Sequence, residues 1–202
     1  MMRLMLGLCF AAALSACGGA VPAGGDEQVA AEPAAVQLKT SAETEWRSVP
    51  ADHLLLLETE GGMIAIELNS DFAPGHTARL REITAAKAYD GAAFYRVIEG
   101  FVAQGALQDE DIIAANWTPI ANENDREVSD KAFTPLGNAD LFTDLVGHMD
   151  GFPVARDADM GREWLLHCPG AVAMARDNDP DSGGTEFYIV LNAQRYLSLI
   201  HI

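Results

Sequence analysis

Residues 94–105, FYRVIEGFVAQG, permit fewer structures than any other stretch of this chain. Aromatic and β-branched residues run up to a glycine, and a second short apolar run follows, the pattern of two strands joined by a tight connection. Arg96 is the residue that pattern does not explain. A guanidinium stays charged at any relevant pH and rarely sits in an apolar strand without a partner or a ligand. A two-residue connection, Glu99 and Gly100, pairs Arg96 with Ala103 and sends Gln104 to the other face. A three-residue connection, Glu99, Gly100 and Phe101, with Gly100 at positive φ, pairs Arg96 with Gln104 and Ile98 with Val102. The second register is the expected one, and it gives one sheet face a charged donor, an amide and two aliphatic groups. The plain alternative for Arg96 is a structural ion pair with Glu99 or another carboxylate.

Upstream, LLLLETEGGMIAIEL reads as two strands about a turn at Glu60-Gly61-Gly62, with Met63, Ala65 and Glu67 alternating with Ile64, Ile66 and Leu68. Residues 71–89 change period. Pro74 suits a helix start, Thr77, Leu80 and Ile83 lie on one stripe, and Asp90-Gly91 ends it. Residues 106–168 are acidic, interrupted by Pro119, Pro135 and Pro153 and without clean periodicity, so mostly loop is expected there. GAVAMAR at 170–176 and TEFYIVL at 185–191 read as strands about a turn-rich loop, and residues 192–197 as a single helical turn.

With 202 residues, 49% of them hydrophobic, one domain plus appendages is expected. The 13 Lys and Arg against 30 Asp and Glu leave a net charge of −17, which excludes a phosphate-binding face and so nucleic acid as partner. Of the 3 cysteines, Cys9 and Cys17 lie near the N-terminus, so the folded part keeps only Cys168, which reads as a small buried residue. Residues 1–16 carry Arg3, an apolar stretch from Leu4 to Leu14, then small residues, the pattern of an export signal. Leu14-Ser15-Ala16-Cys17 resembles the lipobox of bacterial lipoproteins. That resemblance implies cleavage before Cys17, lipidation of its sulfur and a membrane-tethered protein on the periplasmic side. Gly18 stands where inner-membrane retention is associated with aspartate, which points to the outer membrane. Residues 17–51, rich in Gly, Ala, Pro and Glu, read as a flexible tether.

Two other constellations fall short. Asp177, Asn178, Asp179 and Asp181 alternate oxygen ligands as a calcium loop does, but Ser182 stands at the glycine position and Tyr188 at the bidentate glutamate. His148, Asp150, Asp157, Asp159 and His167 match no metal-ligand spacing. No nucleophile motif of the G-x-S-x-G kind supports a hydrolase.

FYRVIEGFVAQG, GAVAMAR and SGGTEFYIVL, in that order after a strand-strand-helix opening, resemble the cyclophilin-type peptidyl-prolyl cis-trans isomerases. The resemblance spans residues 52–197 apart from an insert at about 106–168. It implies a mainly β fold, an antiparallel eight-stranded barrel with capping helices, within a domain at 52–202. Because residues 198–202 do not continue the family pattern, a barrel incomplete at its C-terminal end is expected. The catalytic arginine is then Arg96 and its partner Gln104. The substrate-binding residues carried over are Phe101, Val102, Met174, Ala175, Arg176, Glu186, Tyr188, Tyr196 and Leu197. Arg176 and Glu186 stand where asparagine and glutamine are usual, and Tyr188 replaces a phenylalanine.

The implied chemistry needs no cofactor or metal. Rotation about an X-Pro bond crosses a barrier of about 20 kcal/mol because the C–N bond must lose its double-bond character. A catalyst holds the proline in an apolar slot and donates to its nitrogen as the lone pair localises in the twisted state. The substrates implied are proline-containing polypeptides, in this case exported ones. The alternative is a cyclophilin-like module or periplasmic chaperone that binds such segments without turning them over.

Overall fold

The computed structural model describes residues 46–107, 109–137, 143, 145–194 and 197. The export segment 1–16, Cys17, nearly all of the tether, Tyr196 and residues 198–202 therefore lie outside the described residues. The unit described is Arg47–Ile202.

It opens on a hairpin, β1 (Leu54–Thr59) and β2 (Gly62–Glu67), turning through Glu60 and Gly61. Helix α1 (Pro74–Ala85) follows, burying His76, Thr77, Leu80 and Ile83 on the expected stripe. Next come β3 (Ala93–Val97), β4 (Val102–Ala106) and a short helix α2 (Glu110–Asn116). A run of strands, β5 (Arg126–Glu127), β6 (Thr134–Pro135), β7 (Leu145–Met149), β8 (Phe152–Asp157) and β9 (Arg162–Leu165), precedes β10 (Val172–Met174) and β11 (Phe187–Val190).

Three antiparallel sheets result: β1-β2, the four-stranded β10-β11-β4-β3 and the five-stranded β5-β9-β8-β7-β6. The described residues close no barrel, which corrects the eight-stranded expectation. β3 pairs only with β4 and β10 only with β11, so the four-stranded sheet keeps two edges. The β1-β2 hairpin covers that sheet with side chains instead of extending its hydrogen-bond ladder. Leu55, Ile66 and Leu68 pack with Leu80 of α1 and Phe187 of β11, flanked by Phe94, Met174 and Ile189. Each such side chain, fully buried, contributes about 1.5–3 kcal/mol.

The insert is also more ordered than expected. β7, β8 and β9 form a meander with apolar clusters on both faces, Val146, Ala155, Trp164 and Leu166 on one and Phe72, Met149 and Val154 on the other. A sheet buried on both sides shows no polar-apolar alternation, which hides its strands from a periodicity reading. Two prolines that suggested loop lie within strands. Pro135 is on the edge strand β6, where its missing N–H costs no ladder bond, and Pro153 is near the start of β8.

On β9, Glu163 lies directly between Arg126 and Arg156 on the neighbouring strands, with no exposed surface. Nε of each arginine donates to it at 2.8 Å. Arg126 also donates to the Asp71 carbonyl at 2.9 Å and lies 3.8 Å over the Phe72 ring, fastening the five-stranded sheet to the chain that leads into α1.

Candidate active site

The β3-β4 hairpin has the three-residue connection. Arg96 faces Gln104, Val97 faces Ala103, and Ile98 N–H donates to the Val102 carbonyl at 2.9 Å. Gly100 takes φ +68°, a value that L side chains adopt at a cost. One Arg96 Nη donates to Gln104 Oε1 at 2.8 Å, and the guanidinium carbon lies 5.6 Å from the centre of the Phe101 ring. Among the described residues no carboxylate comes within ion-pair distance of Arg96, so the structural ion pair is not formed. The cation is held by a neutral amide and keeps donor capacity for another acceptor.

Cross-strand register carries this row further. Tyr188 of β11 is opposite Gln104, and Ala173 of β10 is opposite Tyr188, so Arg96, Gln104, Tyr188 and Ala173 share one face. Val102, Tyr188 and Val190 form the buried floor there, with Phe101, Ala175 and Leu197 packed against it. This face thus gathers the arginine, the amide and the apolar pocket residues from four separate parts of the sequence. The small side chains of Ala171, Ala173 and Ala175 also pack against this floor.

Not every expected residue comes to this face. Met174 points the other way, into the core with Phe187, because it lies one residue from Ala173 and Ala175 on a strand where faces alternate. Arg176 follows β10 in a loop, one Nη donating to the Asp177 carbonyl at 2.7 Å. Glu186, two residues before Tyr188, is half-buried, and that burial raises its carboxyl above the ordinary value. Tyr196 lies outside the described residues. In the loop that resembled a calcium site, Asp181 accepts from Asn122 N–H at 2.8 Å and Asp179 caps the 3-10 turn Pro180–Ser182.

Four residues enter the site that were not among the expected site residues. Gln194 donates from its side chain to the Gly100 carbonyl at 3.0 Å and from its backbone to the His167 carbonyl at 3.0 Å, while Leu191 N–H donates to the Phe101 carbonyl at 2.8 Å. Together these bonds fix the loop that carries Phe101. His167 Nε2 lies 3.0 Å from the Tyr188 hydroxyl with the two rings stacked, so the polar end of the buried tyrosine has a partner. Tyr95 accepts from Gln104 Nε2 at 2.8 Å. No periodicity signals any of the four, since each acts across elements distant in sequence or through an irregular strand.

A cavity of about 270 Å³ lies elsewhere, lined by Arg47, His53, Glu67, Asp71, Asp150 and neighbours. Its charges are already matched, Arg47 with Glu67 and Lys131 with Asp71 and Asp150.

Comparison with known proteins places the chain in a family. The family model described as cyclophilin type peptidyl-prolyl cis-trans isomerase/CLD matches residues 54–201. A probable peptidyl-prolyl cis-trans isomerase of Brucella suis is 28% identical over 164 residues, 81% of this chain and 67% of that protein. The peptidyl-prolyl cis-trans isomerase B of Bacillus subtilis is 28% identical over 146 residues, 72% of this chain and 76% of the relative. Among solved structures, the cyclophilin AquaCyp293 from Hirschia baltica superposes with a TM-score of 0.65 at 32% identity, over 75% of this chain. This chain spans 62% of the length of that structure. The shared face of arginine, glutamine and apolar floor, together with these matches, shows that the chain belongs to the cyclophilin-type peptidyl-prolyl cis-trans isomerases.

Proposed function

We propose that Arg96 catalyses rotation of X-Pro bonds by donating to the prolyl nitrogen in the twisted state, while the apolar cluster of Phe101, Val102, Tyr188 and Leu197 receives the ring. The observation that carries this reading is the pairing of Arg96 with Gln104 in place of a carboxylate. In the planar amide the nitrogen lone pair is delocalised and accepts poorly, and in the twisted amide it is localised. A donor fixed beside it therefore binds the transition state more strongly than the ground state. A hydrogen bond to a charged group, about 1.5–3 kcal/mol, supplies roughly a tenfold to 150-fold gain. Apolar surroundings and exclusion of water by the bound peptide increase it.

Turnover of a proline-containing test peptide tests the assignment. Arg96→Ala is expected to lower it by about 10²–10³ while the fold persists, by analogy with loss of one preorganised donor. Unchanged turnover in a folded variant removes Arg96 from the mechanism. If the native protein binds the peptide saturably and leaves the cis/trans exchange rate unaltered, the binding-module reading replaces catalysis.

We further propose that the protein is exported and anchored through a lipid on Cys17, at the outer membrane, and acts on exported clients. The lipobox-like segment and the Gly18 that follows it support this reading, as does the tether composition of residues 17–51. Expression in a bacterial host with labelled palmitate tests it: label is expected on the native chain and absent from Cys17→Ser, which then leaves the detergent-soluble membrane fraction.

A further inference from the structure

We infer that Tyr95 is a positioning residue for the isomerisation, fixing the Gln104 amide so that its carbonyl oxygen faces Arg96. The inference rests on the reading of Arg96 as the donor to substrate. A glutamine amide has two ends of nearly equal size and opposite hydrogen-bonding character. The guanidinium offers only donors, so Oε1 must face it, which leaves the amide N–H groups needing an acceptor on the other side. The Tyr95 hydroxyl is that acceptor, 2.8 Å from Nε2, and Oε1 is 2.8 Å from Arg96.

Tyr95 reaches this position because β3 is irregular. Ala93 is opposite Ala106 and Arg96 opposite Gln104, so β3 takes three steps where β4 takes two. In a regular strand Tyr95 and Arg96 point to opposite faces. The extra residue of a bulge lets neighbouring side chains share one. Phe94 stays on the inner face against Phe187, with ring centroids 6.0 Å apart, while Tyr95 and Arg96 both reach the Gln104 side. The hydroxyl sits on a residue that is 45% exposed, so its contribution to core packing is small. Its effect on the amide comes from direction: without it the Gln104 side chain samples orientations that aim N–H at the guanidinium and release Arg96.

The test uses the full chain and an Ala-Pro test peptide, with Tyr95→Phe, Gln104→Ala, the double variant and Tyr95→His, whose ring nitrogen can accept. Tyr95→Phe is expected to lower kcat by about three- to tenfold, the worth of one neutral hydrogen bond, with KM and melting temperature unchanged. The double variant is expected to be no slower than Gln104→Ala, and Tyr95→His to recover part of the loss. The Gln104 side-chain amide resonances are expected to shift and broaden in Tyr95→Phe. An active native protein in which Tyr95→Phe turns over at the native rate, or in which the two losses multiply, overturns this inference alone. An inactive native protein overturns the isomerase reading and this inference with it.

Discussion

Arg96 is a cation whose partner is neutral, and that choice governs what it can do. A carboxylate in place of Gln104 neutralises the guanidinium and takes its donors, whereas the amide takes one and leaves the charge intact. The glycine that turns the hairpin is equally specific. Gly100 has no neighbour within 4 Å of an added Cβ, so Gly100→Ala meets no clash, and its cost comes from φ alone. About 1–2 kcal/mol is expected, a fall in melting temperature of roughly 2–8 °C, read by thermal denaturation. Peptide turnover is expected to fall as well, because Phe101 is the next residue and its carbonyl is tied to Leu191.

Helix α1 shows how an element can depend on a distant residue. Its N-cap position is Ala73, which has no side-chain acceptor, and Pro74 opens the first turn. Glu123 supplies what Ala73 lacks. Its carboxylate accepts from the N–H of Gly75 at 2.8 Å and of His76 at 2.9 Å, and from His76 Nδ1 at 2.7 Å. These are the orphan donors of the first turn, at the positive end of the helix dipole. Glu123→Ala is expected to destabilise the domain by about 1–2 kcal/mol, the upper part of the range for a lost cap, measured by urea titration. Glu123→Gln is expected to lose less, because the amide oxygen still accepts. Pro74 and the stripe Thr77, Leu80, Ile83 made the helix legible from sequence, but not its cap, since residues 106–168 carry no periodic signal that marks Glu123.

The behaviour of the whole molecule in acid is expected to turn on Glu163. Burial raises its carboxyl, but hydrogen bonds from the Ser129 hydroxyl, Arg156, the Ser129 N–H and Arg126 outweigh that, and the net shift is below the ordinary 4.5. Between the folded value and 4.5 the unfolded chain binds more protons, so this contribution is complete above that window and is lost as pH falls through the folded value. Glu163→Gln leaves Arg126 and Arg156 partly buried without a counter-charge, a loss of about 3–5 kcal/mol at neutral pH. Urea titrations at neutral and acid pH check the sign: the gap between native and variant is expected to narrow as pH falls below 4.5. A gap independent of pH removes Glu163 from the acid response.

Local pattern alone determined the hairpin register, the α1 stripe and the strands around Arg96, because neighbours in sequence enforce periods of 2 and 3.6 through backbone geometry. The same local rules made residues 106–168 read as loop, since strands buried on both faces lose their alternation and Pro135 and Pro153 break the pattern. Tertiary structure decided three further things: which residues complete the site, where Glu163 finds its two arginines, and how the hairpin covers the sheet. Each depends on contacts between residues far apart in the chain, where packing and hydrogen bonding override local preference. The bulge in β3 lies within one hairpin, but the local pattern did not mark it either, and it turns Tyr95 onto the face of Arg96 and Gln104 where a regular strand turns it away.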